Sequence, residues 1–173
     1  LHLADVHIGV ENYGRPATEA DVADLPHYFA PKVDRSNYIG MSTRLLDFLS
    51  TLDEAVDYAL NNNVDLFLFA GDAYKSRDPS QTHQREFVRR VAHLSSNGIP
   101  VFLLAGNHDL PHVTGRASAL EIFPTLDVRN VYVGEKLATC LLQTRAGPLQ
   151  VVALPWIPRG AFLAREETCE MTI

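Results

Sequence analysis

Cysteine and positive charge are both scarce in this chain of 173 residues. It has 2 cysteines, and its 15 Lys and Arg are outnumbered by 21 Asp and Glu, which gives a net charge of −6. Cys140 and Cys169 lie far apart without metal-type spacing, so the sequence argues against a disulfide framework and favours a reducing cytoplasm. The acidic balance argues against a simple phosphate-coating nucleic-acid binder. It does not exclude a nuclease, because bound cations can reverse the sign of the local field.

Long apolar runs are also missing. No run approaches the roughly 20 residues that a membrane span needs, and no signal peptide is visible, so we expect a cytoplasmic protein with no membrane partner. The composition, 46% hydrophobic and 21% charged, is ordinary for a globular domain with one core. The chain opens with Leu1 inside an apolar segment and stops at Ile173 without a closing element. We therefore expect a single domain over residues 1–173 that is truncated at its C-terminus.

Apolar strands and amphipathic helices alternate along the first part of the chain. The predicted strands cover 1–5, 64–70 and 100–105, and the predicted helices cover 43–61 and 81–96. Because these strands are continuously apolar, we expect both faces of each to be covered. The alternation predicts right-handed crossovers, a parallel sheet and an α/β fold.

The remaining segments have a different character. Residues 10–41 show no sustained period and contain several Pro and Gly, so we expect a long loop or insertion there. Beyond the third strand the sequence predicts a short helix at 116–123 and strands at 130–133, 137–144 and 149–154. A hairpin turn is expected at 145–149.

Each of the first three predicted strands leads into carboxylate, amide or imidazole side chains. Asp5 and His7 follow the first strand, Asp72 the second, and Asn107 and His108 the third. Ligands of open parallel sheets gather at the carboxyl ends of the strands, so these donors converge if the strands are neighbours. Oxygen and imidazole donors without thiolate suit manganese, iron or zinc. A carboxylate such as Asp72 can also bridge two ions, and the sequence therefore predicts a shared metal site.

The same residues resemble three motifs of the calcineurin-like metallophosphoesterases. The matching pieces are Asp5-Val6-His7, Gly71-Asp72 and Gly106-Asn107-His108-Asp109. Their surroundings, LHLADVHIG, FAGDAYKSRDPS and LLAGNHDLP, resemble the nuclease subunit of the bacterial SbcCD complex, a relative of the double-strand-break repair nucleases. The likeness covers residues 1 to 125 well and VVALPW at 151–156 less specifically. It implies a four-layer α/β/β/α sandwich, here an incomplete copy.

The resemblance implies a role for each matching residue. Asp5 and His7 would hold a first divalent ion, Asp72 would bridge two ions, and Asn107 would hold the second. The pair is expected to be Mn²⁺, with Fe²⁺, Zn²⁺ or Mg²⁺ as alternatives. His108 would stabilise charge on the phosphate or protonate the leaving oxygen.

Further implied roles are those of residues around this centre. Asp109 would orient His108 from behind. Lys75, Arg77 and His112 are the candidate substrate contacts. The implied activity is metal-dependent hydrolysis of DNA, as exonuclease or endonuclease, within a DNA repair complex. The implied partners are DNA, a second copy of the chain and an SMC-like coiled-coil ATPase of the SbcC type.

The sequence departs from the family pattern in two places. The later Gly-His and Gly-His-x-His motifs do not follow Asp109, and Lys75 stands where some relatives carry a histidine. Two alternatives stay open, of which the missing histidines motivate the second. One is a phosphatase or small-molecule phosphodiesterase of the same superfamily, and the other is a non-catalytic module with a degraded site.

Overall fold

The computed structural model describes residues 1–111, 113 and 115–158. The strands are β1 (His2–Leu3), β2 (Phe67–Phe69), β3 (Val101–Leu104), β4 (Val131–Gly134), β5 (Ala138–Thr144) and β6 (Gly147–Ala153). The helices are α1 (Glu19–Ala23), α2 (Thr43–Asn61), α3 (Gln81–Ser96) and α4 (Ile122–Thr125), with 3-10 turns at Arg35–Tyr38 and Ala119–Glu121. None of the helices in these ranges is long and apolar enough to cross a membrane.

A parallel sheet forms the centre of the fold, as the sequence predicts. Its strand order is β1-β2-β3-β4, and every neighbouring pair is parallel. Chain order and spatial order coincide, so the carboxyl ends of β1, β2 and β3 lie side by side at one edge. The α/β fold class is confirmed, and this edge is where the polar clusters of the sequence must meet.

The two faces of the sheet pack against different layers. Phe67, Phe69 and Leu103 belong to the main core with the buried side chains of α2 and α3. Phe102 points the other way and packs with Leu142 and Ala153 of the antiparallel β5–β6 hairpin. The predicted covering of both strand faces is therefore correct, and the described residues form three layers: helices, parallel sheet and hairpin.

The two long helices begin and end where the sequence predicts. The side chain of Ser80 accepts the backbone N–H of His83 and caps the start of α3. Gly98, with a φ of +82°, ends that helix in the left-handed region. Ser42 occupies the N-cap position of α2 without a side-chain hydrogen bond. The start of α2 is therefore set by its amphipathic stripe and not by a cap.

Several boundaries differ from the prediction. The expected helix at 116–123 begins later, because Ser118 and Glu121 form a capping box that starts the helical turn at Ala119. The first strand is shorter than 1–5, since the backbone enters the left-handed region at Asp5. The hairpin turn falls at 145–146, inside the predicted segment.

Residues 10–41 carry more structure than their lack of period suggests, namely α1 and the first 3-10 turn. Two contacts fasten this segment to the helix layer. The buried hydroxyl of Tyr38 donates to Glu86 of α3, 3.0 Å away, and the N–H of Ala30 donates to Asp53 of α2. The segment is thus packed against the core through polar groups that a periodicity analysis does not detect.

Candidate metal centre

Three predicted site residues meet at the carboxyl edge of the sheet. His7, Asp72 and His108 offer ligand atoms that all lie within 4.8 Å of one another. Nε2 of His7 is 4.0 Å from Oδ2 of Asp72 and 3.6 Å from Oδ1 of Asp5. The Asp5 side chain is 70% exposed whereas that of Asp72 is 11% exposed, so the centre has one buried wall and one open side.

Backbone hydrogen bonds beyond the strands fix these side chains. The N–H of Asp5 donates to Gly71 O and the N–H of His7 to Asp72 O, both at 3.0 Å. Asp5, His7 and Asp72 all have positive φ, at 57°, 48° and 58°. Each such non-glycine residue costs on the order of 1–2 kcal/mol. Conformational strain of this kind is common at functional sites, and three of the eight non-glycine residues with positive φ in the described ranges are predicted metal ligands.

Two glycines allow the second and third loops to approach closely. A Cβ on Gly106 would lie 2.2 Å from Oδ1 of Asp72, and one on Gly71 would lie 2.8 Å from the Cα of Gly106. Gly71 also has a φ of +100°. A side chain at Gly106 would therefore displace Asp72, and one at Gly71 would push the two loops apart, which explains the glycines before Asp72 and Asn107.

Asp109 has a different contact set from the one expected. Its Oδ2 accepts the N–H groups of Asp72 and Gly106, at 2.7 and 2.9 Å, and its Oδ1 accepts that of Ala73 at 3.1 Å. The side chain is buried, and burial raises its pKa, while the hydrogen bonds from the N–H groups of Gly106 and Asp72 act against the rise. Asp109 therefore ties the two loops together instead of orienting His108.

The orientation of His108 comes from Lys75. Nδ1 of His108 lies 2.7 Å from the main-chain oxygen of Lys75, so this nitrogen carries the proton and donates. The other nitrogen, Nε2, is then left for a ligand or a substrate. The ring stands edge-on to His7, with centroids 5.0 Å apart and planes at 89°. The backbone N–H of His108 also donates to Oδ1 of Asp72, which leaves Oδ2 for a cation.

Asn107 opens onto a cleft next to the cluster. The cleft has a volume of about 500 Å³ and is lined by Asp72 and Asn107 on one side and by Leu154 and Trp156 on the other. The N–H of Trp156 donates to the oxygen of Ala105, which holds the segment after β6 against the sheet. The sequence segment VVALPW indicated no role for Trp156, because nothing in its spacing relates it to the third strand.

The candidate substrate contacts are placed less uniformly. Lys75 is exposed at the rim, and its carbonyl serves His108. Nε of Arg77 donates to Leu110 O, so this side chain braces the loop after Asp109. His112 lies outside the described residues.

The donor set fits a divalent cation. Nitrogen and oxygen ligands lie about 2.0–2.2 Å from an ion such as zinc, and two such ligands on one ion stand roughly 3–4 Å apart. The separations of His7 from Asp5 and Asp72, 3.6 and 4.0 Å, lie in this range. Carboxylate and imidazole donors without thiolate suit manganese, iron or zinc.

Comparison with known proteins finds one family profile and several relatives. The profile of the calcineurin-like phosphoesterases matches residues 1–151. A Thermoplasma acidophilum protein with the name DNA double-strand break repair protein Mre11 is 35% identical over 79 residues, which are 46% of this chain and 21% of the relative. An Archaeoglobus fulgidus protein of the same name is 27% identical over 130 residues, 75% of this chain and 23% of the relative.

A bacterial relative has a more general name. The uncharacterized metallophosphoesterase YhaO of Bacillus subtilis is 25% identical over 121 residues, which are 70% of this chain and 25% of the relative. The chain thus spans about a quarter of the length of the relatives it matches.

Proposed function

The chain belongs to the calcineurin-like phosphoesterase family, and we propose that it acts in a metal-dependent nuclease that hydrolyses phosphodiester bonds of DNA during repair. Membership confirms the family resemblance seen in the three motifs. The observation that carries the proposal is the meeting of His7, Asp72 and His108 within 4.8 Å. The names of the archaeal relatives, which are DNA double-strand break repair proteins, support DNA as the substrate.

We propose two divalent ions, Mn²⁺ first, with Fe²⁺, Zn²⁺ and Mg²⁺ as alternatives. Asp5 and His7 would hold one ion, Asp72 would bridge both, and Asn107 would hold the other. When bound, such ions supply positive charge against the phosphate and activate water as a nucleophile at neutral pH. Four side chains cannot fill two coordination spheres, so we expect weak metal binding by residues 1–173 alone.

The chain's own residues then position the metal-binding groups and donate a proton. Asp109 accepts the N–H groups of Asp72 and Gly106, which keeps the backbone of Asp72 in its left-handed conformation. Lys75 O fixes the proton of His108 on Nδ1. When Nε2 is also protonated, it can donate to a phosphate oxygen or to the leaving oxygen. The exposed Lys75 ammonium is a point charge for a neighbouring phosphate, and we keep Arg77 and His112 as further proposed substrate contacts.

The assembly around this site is also a proposal. We propose that residues 1–173 belong to one nuclease domain with 10–41 as an insertion, that two copies pair, and that a coiled-coil ATPase of the SbcC type is the partner. We also propose a cytoplasmic location, which the scarcity of cysteine supports. The proposed cleavage of DNA is exonucleolytic or endonucleolytic.

Substrate profiling with manganese tests the proposed function. We expect cleavage of single-stranded or double-stranded DNA oligonucleotides in preference to nitrophenyl phosphate. Hydrolysis of nucleotide monoesters alone would identify a phosphatase, and activity on bis(nitrophenyl) phosphate but not DNA would identify a small-molecule phosphodiesterase. Manganese binding without any hydrolysis by the full-length protein would favour the non-catalytic module.

The role of His108 has its own test. We expect His108→Ala to remove turnover in the full-length enzyme, by about 10²-fold or more, because a general acid contributes that much. Manganese affinity should stay nearly intact, as measured by calorimetric titration. The exposed His27 offers a control, and His27→Ala should change neither quantity. If manganese affinity collapses in His108→Ala, His108 is a ligand and its assignment as an acid is wrong.

A further inference from the structure

The cleft beside the metal centre has two walls of different chemistry. One wall carries Asp72 and Asn107, which are proposed metal ligands, and the other carries Leu154 and Trp156. Its volume of about 500 Å³ lies in the range of small-ligand pockets. A substrate that places its phosphate at Asp72 and Asn107 therefore brings the group attached to that phosphate against an apolar wall.

The aromatic side chain of this wall is unusually accessible. Trp156 is 55% exposed and Leu154 is 62% exposed, although tryptophan is highly buried on average in folded proteins. Burial alternates along this segment, because Ala153 and Pro155 are buried whereas Leu154 and Trp156 are exposed. The two exposed side chains therefore lie on the same side of the segment, and that side faces the cleft.

The backbone that carries Trp156 is held in place next to the third metal-binding loop. Its N–H donates to the oxygen of Ala105 at 3.3 Å, and Ala105 stands two residues before Asn107. Pro155 and Pro158 flank the tryptophan, and each proline fixes its own φ and restricts the residue before it. An aromatic group on such a backbone is arranged before a ligand arrives, which lowers the entropy cost of binding.

The chemistry of the wall selects one part of a nucleic acid. Among the described residues that line the cleft, none is Lys or Arg, so the apolar wall is unsuited to a second phosphate. A nucleobase is joined to the reacting phosphate through a single sugar, and every base has a flat face that stacks on aromatic side chains. The base is therefore the part of a DNA substrate that fits an open tryptophan.

We propose that Trp156 stacks on the base of a nucleotide whose phosphate lies at the metal centre, with Leu154 beside it. This inference rests on the proposed function, in which DNA is the substrate. It makes Trp156 a specificity-determining residue, because a phosphodiester without a base has no partner for the tryptophan. Stacking is tolerant of base identity, so the residue favours nucleotides without selecting a sequence.

Hydrolysis of dinucleotides by the full-length enzyme with Mn²⁺ tests this specificity. The substrates are thymidylyl-thymidine and two analogues in which a tetrahydrofuran abasic sugar replaces either the 5′ or the 3′ nucleoside. We expect one abasic analogue to have a kcat/KM about tenfold below that of the parent dinucleotide, chiefly through KM. Trp156→Ala should reduce this ratio to about one, and Trp156→Phe should keep most of it. Tyr58→Ala, at an equally exposed aromatic of α2, should leave the ratio unchanged.

Fluorescence gives a second readout that does not need hydrolysis, because Trp156 is the single tryptophan of the 173-residue chain. In Mg²⁺, octathymidylate should quench its emission, whereas an octamer of abasic sugars should not. Quenching by octathymidylate without hydrolysis of any diester would support stacking and refute the nuclease function. DNA cleavage with equal kcat/KM for all three dinucleotides and equal emission with both octamers would overturn the stacking proposal and leave the nuclease function intact. A lower melting temperature of Trp156→Ala with an unchanged substrate ratio would identify Trp156 as a core residue and would also overturn it.

Discussion

Replacement of Asp109 by asparagine isolates the connection between the two metal-binding loops. The carboxylate is 1% exposed and accepts three backbone N–H groups, from Asp72, Ala73 and Gly106. An asparagine of the same shape has one acceptor oxygen. That oxygen can take the two donors now on Oδ2, but its NH₂ group then faces the N–H of Ala73.

The cost follows from these contacts. One buried donor is left without a partner, which costs about 1–3 kcal/mol, and two hydrogen bonds lose their charge assistance, about 1 kcal/mol each. Removal of a buried charge offsets part of this loss. We therefore expect Asp109→Asn to lower the free energy of unfolding by about 2–4 kcal/mol.

Urea unfolding followed by circular dichroism measures this change. Asp47→Asn is the matched control, because Asp47 is 67% exposed and pairs with the exposed Arg44. Its free energy of unfolding should stay within about 0.5 kcal/mol of that of the parent. Asp109→Asn should also weaken manganese binding, because Asp72 loses the bond that fixes its backbone. If Asp109→Asn is as stable as the Asp47→Asn control, Asp109 does not hold the loops and the reasoning is refuted.

Two other predictions concern close packing and a buried hydroxyl. Gly106→Ala should displace Asp72, because the new Cβ would lie 2.2 Å from Oδ1 of Asp72, and calorimetry should show that manganese affinity is lost. Gly98→Ala is the control, because the space around Gly98 is open, and it should bind manganese as the parent does. Equal manganese affinities in the two variants would contradict the packing argument. Burial, with the charge of Glu86, raises the pKa of Tyr38 to about 12, so the folded state resists ionisation and stability is lost as pH rises from 10 to 12. Between pH 9 and 11, the free energy of unfolding of the parent, measured with urea, should fall by about 1 kcal/mol relative to that of Tyr38→Phe. Parallel pH profiles of the two proteins would show that the folded state does not suppress ionisation of Tyr38.

Much of the fold can be predicted from the sequence, because local signals agree with tertiary packing. The apolar stripes of α2 and α3 set the lengths of those helices, and Ser80 and Gly98 mark the ends of α3. The site can be predicted from the sequence for a topological reason. Strand order follows chain order, so Asp5, Asp72 and Asn107 follow neighbouring parallel strands and reach one sheet edge.

Other features depend on contacts between segments that sequence spacing does not relate. Asp109 follows His108 in the chain, yet its partners are the N–H groups of the loop at Asp72, brought near by Gly71 and Gly106. The carbonyl of Lys75 could not be assigned to His108, since a main-chain oxygen leaves no mark in the residue type. Positive φ at His7 likewise arises from pairing with Asp72 O.

The most direct test of the metal centre is anomalous diffraction at the manganese edge from crystals of the chain equilibrated with Mn²⁺. The account predicts a manganese peak about 2.2 Å from both Nε2 of His7 and Oδ2 of Asp72, and no such peak in His7→Ala crystals. A peak at another surface, or none near Asp72 at a saturating Mn²⁺ concentration, would contradict the assignment of this sheet edge as the metal site.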